Sequence, residues 1–521
     1  MILRRLIICG ILFGGLLALP FYFRKDDGIP PVEDDAETLV IVTSHNKSVR
    51  DEYEIAFRKH YKAKYGKDIT LDFRSPGGTS DIVRYIEDRF TAEFRNSWNR
   101  SGREWKDEYA DIFRDSSKDS HPVRKAFLNS DTGIGIDIFA GGGTFNQERL
   151  AKRGYAVDGK VKERHPEYFT ENSIPATFGG DVMYDPQGRF YGVVLTTFGM
   201  LCNRDRLAEL PDPTPPERWK DIGEGRFFRQ VIVADPSKSG SANKCFEIIL
   251  QQCMADAGNP DTGWYNGINL LKRIFANART ITDSASKVVR DINIGEGSVG
   301  TAIDTYGFAE VEWSNRIFDG KSNCFYVTPK GGTAVSCDPV QILRGAPNRR
   351  AAEEFVDFLL SIEGQKLHAF RVGTPGGAVK SSINRPAIRK ELYAPEYREF
   401  LFEKDYNPYN SGADFVYRPQ WTGRYYSLLQ MVIKSIMLDT HLELQRAWKA
   451  ILDAGGPEAV PEAMKYFNAL PFSYKEAAAS AASLRKGNGR SAADVAAVLR
   501  KWNEFSRENY IKAAKLAGEG R

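Results

Sequence analysis

Residues 234–244 read ADPSKSGSANK. The apolar run Gln230-Val231-Ile232-Val233 precedes them, and Phe246-Glu247-Ile248-Ile249-Leu250 follows. The first run is strand-like and the second helix-like. A plain turn between them would be shorter. A small polar loop at a helix start presents hydroxyls and backbone N–H groups where the helix dipole favours negative charge. The stretch therefore predicts a strand, a ligand-cradling loop and a helix.

The same design recurs along the chain. TLVIVTSHNKS at 38–48 is a short buried strand running into polar residues, and Val49, Tyr53, Ala56, Phe57 and Tyr61 then follow at helical spacing. ITLDFRSPGGTSD at 69–81, GIDIFAGGGTFNQERLAKRG at 135–154 and GEGSVGTAIDTYGFAEV at 295–311 repeat it. Strand, loop and helix in alternation define α/β architecture, in which ligands bind beyond the carboxyl ends of the strands. Taken singly, each loop reads as an ordinary helix cap. Taken together, they predict a shared cleft lined by Ser44, Asn46, Gly78, Thr79, Gly142, Gly143, Thr144, Ser239, Gly240 and Ser241.

Two regions break the pattern. Residues 88–131 are charged, contain Trp98 and Trp105, and read as an inserted helical excursion on the surface. Residues 386–521 read as all-α: Leu428, Leu429, Val432, Ile436 and Leu444 form one helical stripe, and 491–518 is a second amphipathic helix. Packing on the rest of the chain is the expected use of this extension, with a partner-facing surface as the alternative.

The chain has 521 residues, enough for two or three domains. Its 42% hydrophobic and 27% charged content fits neither disorder nor a multi-span membrane protein. Net charge is +4 from 72 basic and 68 acidic residues, which argues against a dedicated nucleic-acid surface. The N-terminus differs: after MILRR, residues 6–23 (LIICGILFGGLLALPFYF) are apolar enough to span a bilayer. Arg4 and Arg5 would stay inside, so an uncleaved inner-membrane anchor followed by a tether at 26–37 is expected, with a cleaved secretory signal as the alternative. Either reading exports the bulk of the chain to the periplasm.

Export permits disulfides. NCFYVTPKGGTAVSCDP at 323–339 reads as a hairpin turning at Lys330-Gly331-Gly332, which places Cys324 opposite Cys337 and predicts a bridge between them. No CxxC or HExxH spacing suggests zinc, and no GxSxG elbow, no P-loop and no GxGxxG fingerprint after a strand suggests an enzyme. No cofactor is expected.

Several segments together resemble the type 2 periplasmic solute-binding proteins of ABC importers, in the group that holds ferric-iron-binding proteins and their phosphonate- and polyamine-binding relatives. They are ADPSKSGSANK at 234–244, DIFAGGGTF at 137–145, GRFYGVVLTTFGMLCNRDRL at 188–207, PERWKDI at 216–222, GTAIDTYG at 300–307 and DPVQILRGAPNRRAAEEFVDFLLSIEGQ at 338–365. The resemblance covers roughly residues 38–385. It implies two α/β lobes joined by crossover strands and closing on a small solute, which passes to an ABC permease in the inner membrane. The boundaries it suggests are 38–140 with 305–345 for one lobe, 141–304 with 346–385 for the other, and a helical extension from 386. In the ferric relatives two adjacent tyrosines lie near the position of IDTYGF; here Tyr306 stands alone, so an iron set would be His45, Asp304 and Tyr306. Otherwise the hydroxyl- and N–H-rich loops suit a phosphonate, a phosphate ester or a carboxylate, with Asp304 for an amine and Tyr306 for an organic group. The expected function is solute binding without catalysis. The alternatives are a membrane-anchored sensor or scaffold on the same fold and an exported hydrolase.

Overall fold

The computed structural model describes residues 32–33, 35–484 and 491–518, so the anchor expected at 6–23 lies outside the described residues. Among the described residues no helix is long and apolar enough to cross a membrane. The chain begins with β1 (Glu37–Thr43), α1 (Lys47–Tyr65), β2 (Ile69–Arg74), α2 (Thr79–Arg100), β3 (Ile138–Ala140), α3 (Gly143–Lys152), β4 (Ala156–Val157) and β5 (Tyr191–Thr196). It continues through β6 (Phe198–Asn203), β7 (Val231–Ala234), α4 (Gly240–Asp256), α5 (Pro260–Ala276), β8 (Ala278–Thr282), α6 (Ala285–Asn293), β9 (Val299–Ile303), α7 (Asp304–Ile317) and β10 (Cys324–Val327). It returns with β11 (Ser336–Leu343), α8 (Arg349–Leu360) and α9 (Ile362–Ala369). The extension then adds α10 (Tyr426–Ile433), α11 (His441–Asp453), α12 (Pro461–Phe467) and α13 (Ala492–Gly518).

Two main sheets result, one per lobe, beside a two-stranded ribbon of Thr177–Phe178 and Asp181–Val182. The first runs β2-β1-β3-β11-β4, with β5 also paired to β11; the second runs β8-β7-β9-β6-β10. In each, the strands that lead into helices are parallel and the strands that cross between lobes are antiparallel to them. Both sheets carry helices on their faces, and β3, β5, β6 and β7 are buried along their whole length, as a covered sheet requires.

The lobe boundaries differ from those expected. The chain leaves the first sheet at Thr196, enters the second at Phe198, and returns only after β10, through residues 328–335. Helices α8 and α9 pack on the first lobe, where Phe355 meets Tyr53 and Phe57 edge-on, with ring centroids 5.9 and 4.9 Å away respectively. The expected disulfide is corrected by the same topology. Cys324 on β10 lies opposite Asn203 of the second sheet, Cys337 on β11 lies opposite Leu195 of the first, and both thiols are free. The Lys330-Gly331-Gly332 turn belongs to a lobe crossing and not to a hairpin; the Trp219 indole N–H donates to Gly332 O at 2.6 Å and anchors it.

Residues 88–131 are helical but not a surface excursion. The end of α2 and the short helices Tyr109–Arg114 and Pro122–Leu128 enclose Phe90, Phe94, Phe113 and Phe127. Phe90 stacks on Tyr155 at 4.7 Å and Phe94 on Phe113 at 5.2 Å, in one core with Val40 and Val42 of β1. The extension is also integral. Ile388 and Tyr409 sit in the first lobe's core, while Phe415, Tyr417 and the apolar faces of α10–α13 share one core with the second sheet.

Candidate functional site: an interlobe cavity ringed by helix starts

Six helices begin at the same place. Asn46 caps α1 by accepting the Val49 N–H at 3.1 Å, Ser239 caps α4 through Ala242 at 3.3 Å, and Ser284 caps α6 through Lys287 at 3.4 Å. Helix α2 starts after Gly78, α3 after Gly142 and α7 after Ile303. All six starts line one cavity of about 430 Å³ between the lobes. The sequence folds this way locally because each strand ends in residues that tolerate a sharp turn. Gly141, Gly142 and Gly143 all have positive φ, and a Cβ on Gly141 would come within 2.9 Å of His45 Nε2.

Ser44, His45, Asn46, Gly78, Thr79, Gly142, Gly143 and Thr144 reach the cavity from the first lobe, and Ser239, Gly240, Ser241 and Tyr306 from the second. Asp304 does not. Its carboxylate is fully buried, accepts the Thr197 N–H at 2.9 Å and the Thr305 N–H at 2.7 Å, and takes the Tyr406 hydroxyl at 3.2 Å. Burial pushes its pKa up to about 6 against those hydrogen bonds. Asp304 therefore ties the start of α7 to the crossover residue Thr197 and is no ligand residue.

The expected iron set does not assemble. Asp304 faces the crossover, and His45 Nε2 lies 3.0 Å from Asp338 Oδ2 and 3.1 Å from Arg385 Nη1, while Arg385 also pairs with Asp338. A guanidinium stands beside the imidazole where a cation would have to go. Burial, then Arg385, pushes the His45 pKa down, so the ring is neutral near pH 7. Burial would raise Asp338, but Arg385 and His45 hold its carboxyl well below the usual range. Among the described residues no group of three or more His, Cys, Asp or Glu side chains could hold a metal.

Several lining residues escaped sequence reasoning. Lys238 stands exposed at the rim. Lys244 and Glu247 lie further along α4, with Lys244 Nζ 3.2 Å from Glu247 Oε2. Spacing from Gly240 would have put Lys244 on the same helix face. Tyr417 and Tyr426 come from the extension: the Tyr426 hydroxyl donates to Gly240 O at 2.8 Å, and the Tyr417 hydroxyl to Glu247 Oε1 at 2.9 Å. No local pattern in the sequence signals that contribution. The Asp338–Arg385 pair joins the start of β11 to the segment after α9, a contact that only the folded first lobe creates.

Residues 167–395 match the family described as bacterial extracellular solute-binding protein. Among curated proteins, the chain is similar to the phosphoglycerate transport regulatory protein PgtC of Salmonella typhimurium, with 28% identity over 207 residues, 40% of this chain and 47% of that one. The chain thus spans about half the length of that curated relative. Among solved structures it is similar to the periplasmic binding protein AfuA from Actinobacillus pleuropneumoniae with fructose-6-phosphate bound (19% identity, 76% of this chain and 99% of that chain, TM-score 0.48). It is also similar to iron-bound HitA from Pseudomonas aeruginosa (15% identity, 76% and 98% covered, TM-score 0.48). The matched residues 167–395 hold the second lobe and the return to the first, so the similarity to bacterial extracellular solute-binding proteins covers less than half of the chain.

Proposed function

We propose that the protein binds a small phosphate-bearing anion, a phosphate ester or a phosphonate, in the interlobe cavity and releases it unchanged to an ABC permease. The observation that carries this reading is the convergence of six helix starts on one cavity. Each start offers unsatisfied N–H groups and the positive end of a dipole, and together they form an oxyanion cradle without needing a cation. Lys238 adds a positive charge at the rim, and the pairs Arg385–Asp338 and Lys244–Glu247 are each neutral as units. The cavity is larger than inorganic phosphate needs, which leaves room for an organic group against Phe145, Tyr306 and Tyr426. The relative named for phosphoglycerate transport supports the same ligand class.

The test is calorimetric titration of the exported part of the chain with inorganic phosphate, glycerol 3-phosphate, 3-phosphoglycerate, aminoethylphosphonate, spermidine and ferric citrate. A dissociation constant in the micromolar range or tighter for a phosphorylated compound supports the reading. Tight binding of ferric citrate alone would overturn it. Recovery of the ligand unchanged, read by mass spectrometry, separates a receptor from a hydrolase.

A second reading has one observation in its favour: the curated relative is named a transport regulatory protein. In it, the protein is membrane-anchored by residues 6–23 and reports occupancy to a partner. Ligand-dependent capture of a non-permease membrane protein would favour that reading over delivery.

A further inference from the structure

We infer that the helical extension completes a second anion subsite at Lys244, so that the solute is a short phosphorylated carboxylic acid and not a simple phosphate monoester. This rests on the phosphate reading above and goes beyond it in assigning the far end of the ligand.

Lys244 lines the cavity four residues after Gly240 on α4. It therefore lies on the same helix face, about 6 Å further from the helix start at 1.5 Å per residue. The Lys244 side chain and the helix start line the same cavity of about 430 Å³, which has room for a phosphoryl group and a second acidic group joined by a short carbon chain. The extension fixes Lys244 in this position. Its Nζ sits over the Tyr417 ring, 3.4 Å from the centroid, and its ion-pair partner among the described residues is Glu247 Oε2. Glu247 is itself fully buried, and its other oxygen accepts the Tyr417 and Thr422 hydroxyls at 2.9 and 2.6 Å. One carboxylate oxygen and one aromatic face leave an ammonium with donor capacity toward the cavity. Burial would lower the Lys244 pKa, but Glu247, Asp181 and Tyr426 together more than offset it and the net shift is upward, so the group stays charged. Tyr426 closes the same end, accepting the Asn243 amide at its carbonyl at 3.1 Å.

The experiment is calorimetry on the wild type and two variants with 3-phosphoglycerate and glycerol 3-phosphate, which share a three-carbon skeleton and differ in the carboxylate. The wild type should prefer 3-phosphoglycerate by about tenfold or more, the scale of one hydrogen bond to a charged group. Lys244→Met alone would strand the buried Glu247, so it is paired with Glu247→Gln. That double variant should bring the ratio near one while glycerol 3-phosphate binds within about twofold of wild type. Tyr417→Ala should lower the ratio in the same direction; a merely structural role would weaken both ligands alike. Equal wild-type affinities, or a ratio that survives the double variant, would overturn the subsite and leave the phosphate reading standing. Binding of neither compound would overturn the subsite; the phosphate reading falls with it only if inorganic phosphate and aminoethylphosphonate fail to bind as well.

Discussion

Ser239 and Ser241 stand two residues apart and have different structural duties. Ser239 Oγ accepts the Ala242 N–H and caps α4; Ser241 lines the cavity, its hydroxyl 3.1 Å from Ser239 Oγ. Ser239→Ala should cost about 1 kcal/mol of stability through the lost cap. Ser241→Ala should leave thermal stability nearly unchanged and weaken solute binding about tenfold, as loss of a hydrogen bond to a charged ligand does. Melting curves with and without ligand separate the two, and equal affinity in Ser241→Ala would reduce the loop to a cap. Asp304 makes a different point. A carboxyl whose folded pKa of about 6 exceeds its ordinary 3.8 keeps its proton longer in the native state. Its stability contribution is complete below pH 3.8 and is lost as pH rises to 6, on the order of 3 kcal/mol. Asp304→Asn should flatten stability across that window and raise the midpoint at pH 7.5, measured by calorimetric melts from pH 4 to 7.5. Sequence placed Asp304 in the right loop but could not tell which way its carboxylate turns, because a strand-to-helix junction has no periodicity to fix a side chain.

At the scale of elements, what was legible was local. Strand, Gly/Ser/Asn loop and helix start are written in consecutive residues, so the cavity-lining loops could be read without the fold. What was hidden depends on contacts far apart in sequence. Cys324 and Cys337 flank a turn that looks like a hairpin until β10 and β11 are seen in different sheets. The aromatic residues of 88–131 gave no hint that they close over one another and over β1, since a charged helix reads as solvated until its other face is placed. The extension follows the same rule. Lys272 on α5 is fully buried beneath it, donating to the carbonyls of Phe467 and of Ala469, the latter at 3.0 Å, and lying over the Phe467 and Tyr510 rings. Burial drops its pKa from 10.5 to about 7. A lysine depressed in the folded state is a penalty wherever the unfolded chain holds its proton more tightly. Stability should therefore rise with pH between 7 and 10.5, on the order of 5 kcal/mol in full. Denaturant melts from pH 7 to 9.5 should show that slope, and Lys272→Met should remove it. An unchanged slope would mean that the extension seats itself without this lysine.

At the scale of the whole molecule, the two lobes are joined by chain crossovers and by side-chain contacts away from them. The crossovers at Thr197 and 328–335 form the covalent hinge, and Asp304 clamps the first of them. Away from the hinge, Glu312 on α7 of the second lobe accepts the Asn384 amide at 2.6 Å and the Ser382 hydroxyl at 3.2 Å from the first. On another side Phe145 of α3 meets Tyr426 of the extension, ring centroids 5.0 Å apart. Neither contact belongs to a lobe core, and Ser382, Phe145 and Tyr426 line the cavity, so both contacts are expected to bear on closure more than on folding. A ligand at about 100 times its dissociation constant adds roughly 2.7 kcal/mol to the state that binds it, and closure draws on the same free energy. Removing one carboxylate with two hydrogen bonds should cost the closed state about 2 kcal/mol. Glu312→Ala should therefore raise the solute's dissociation rate by about ten- to thirtyfold, with little change in the melting temperature of the free protein. Stopped-flow release into excess unlabelled ligand measures the first, and calorimetry the second. A free-protein melting temperature that falls as far as the bound one would assign Glu312 to folding. An unchanged dissociation rate would place the latch elsewhere, and Phe145→Ala then becomes the variant in which the extension's grip on the first lobe should show.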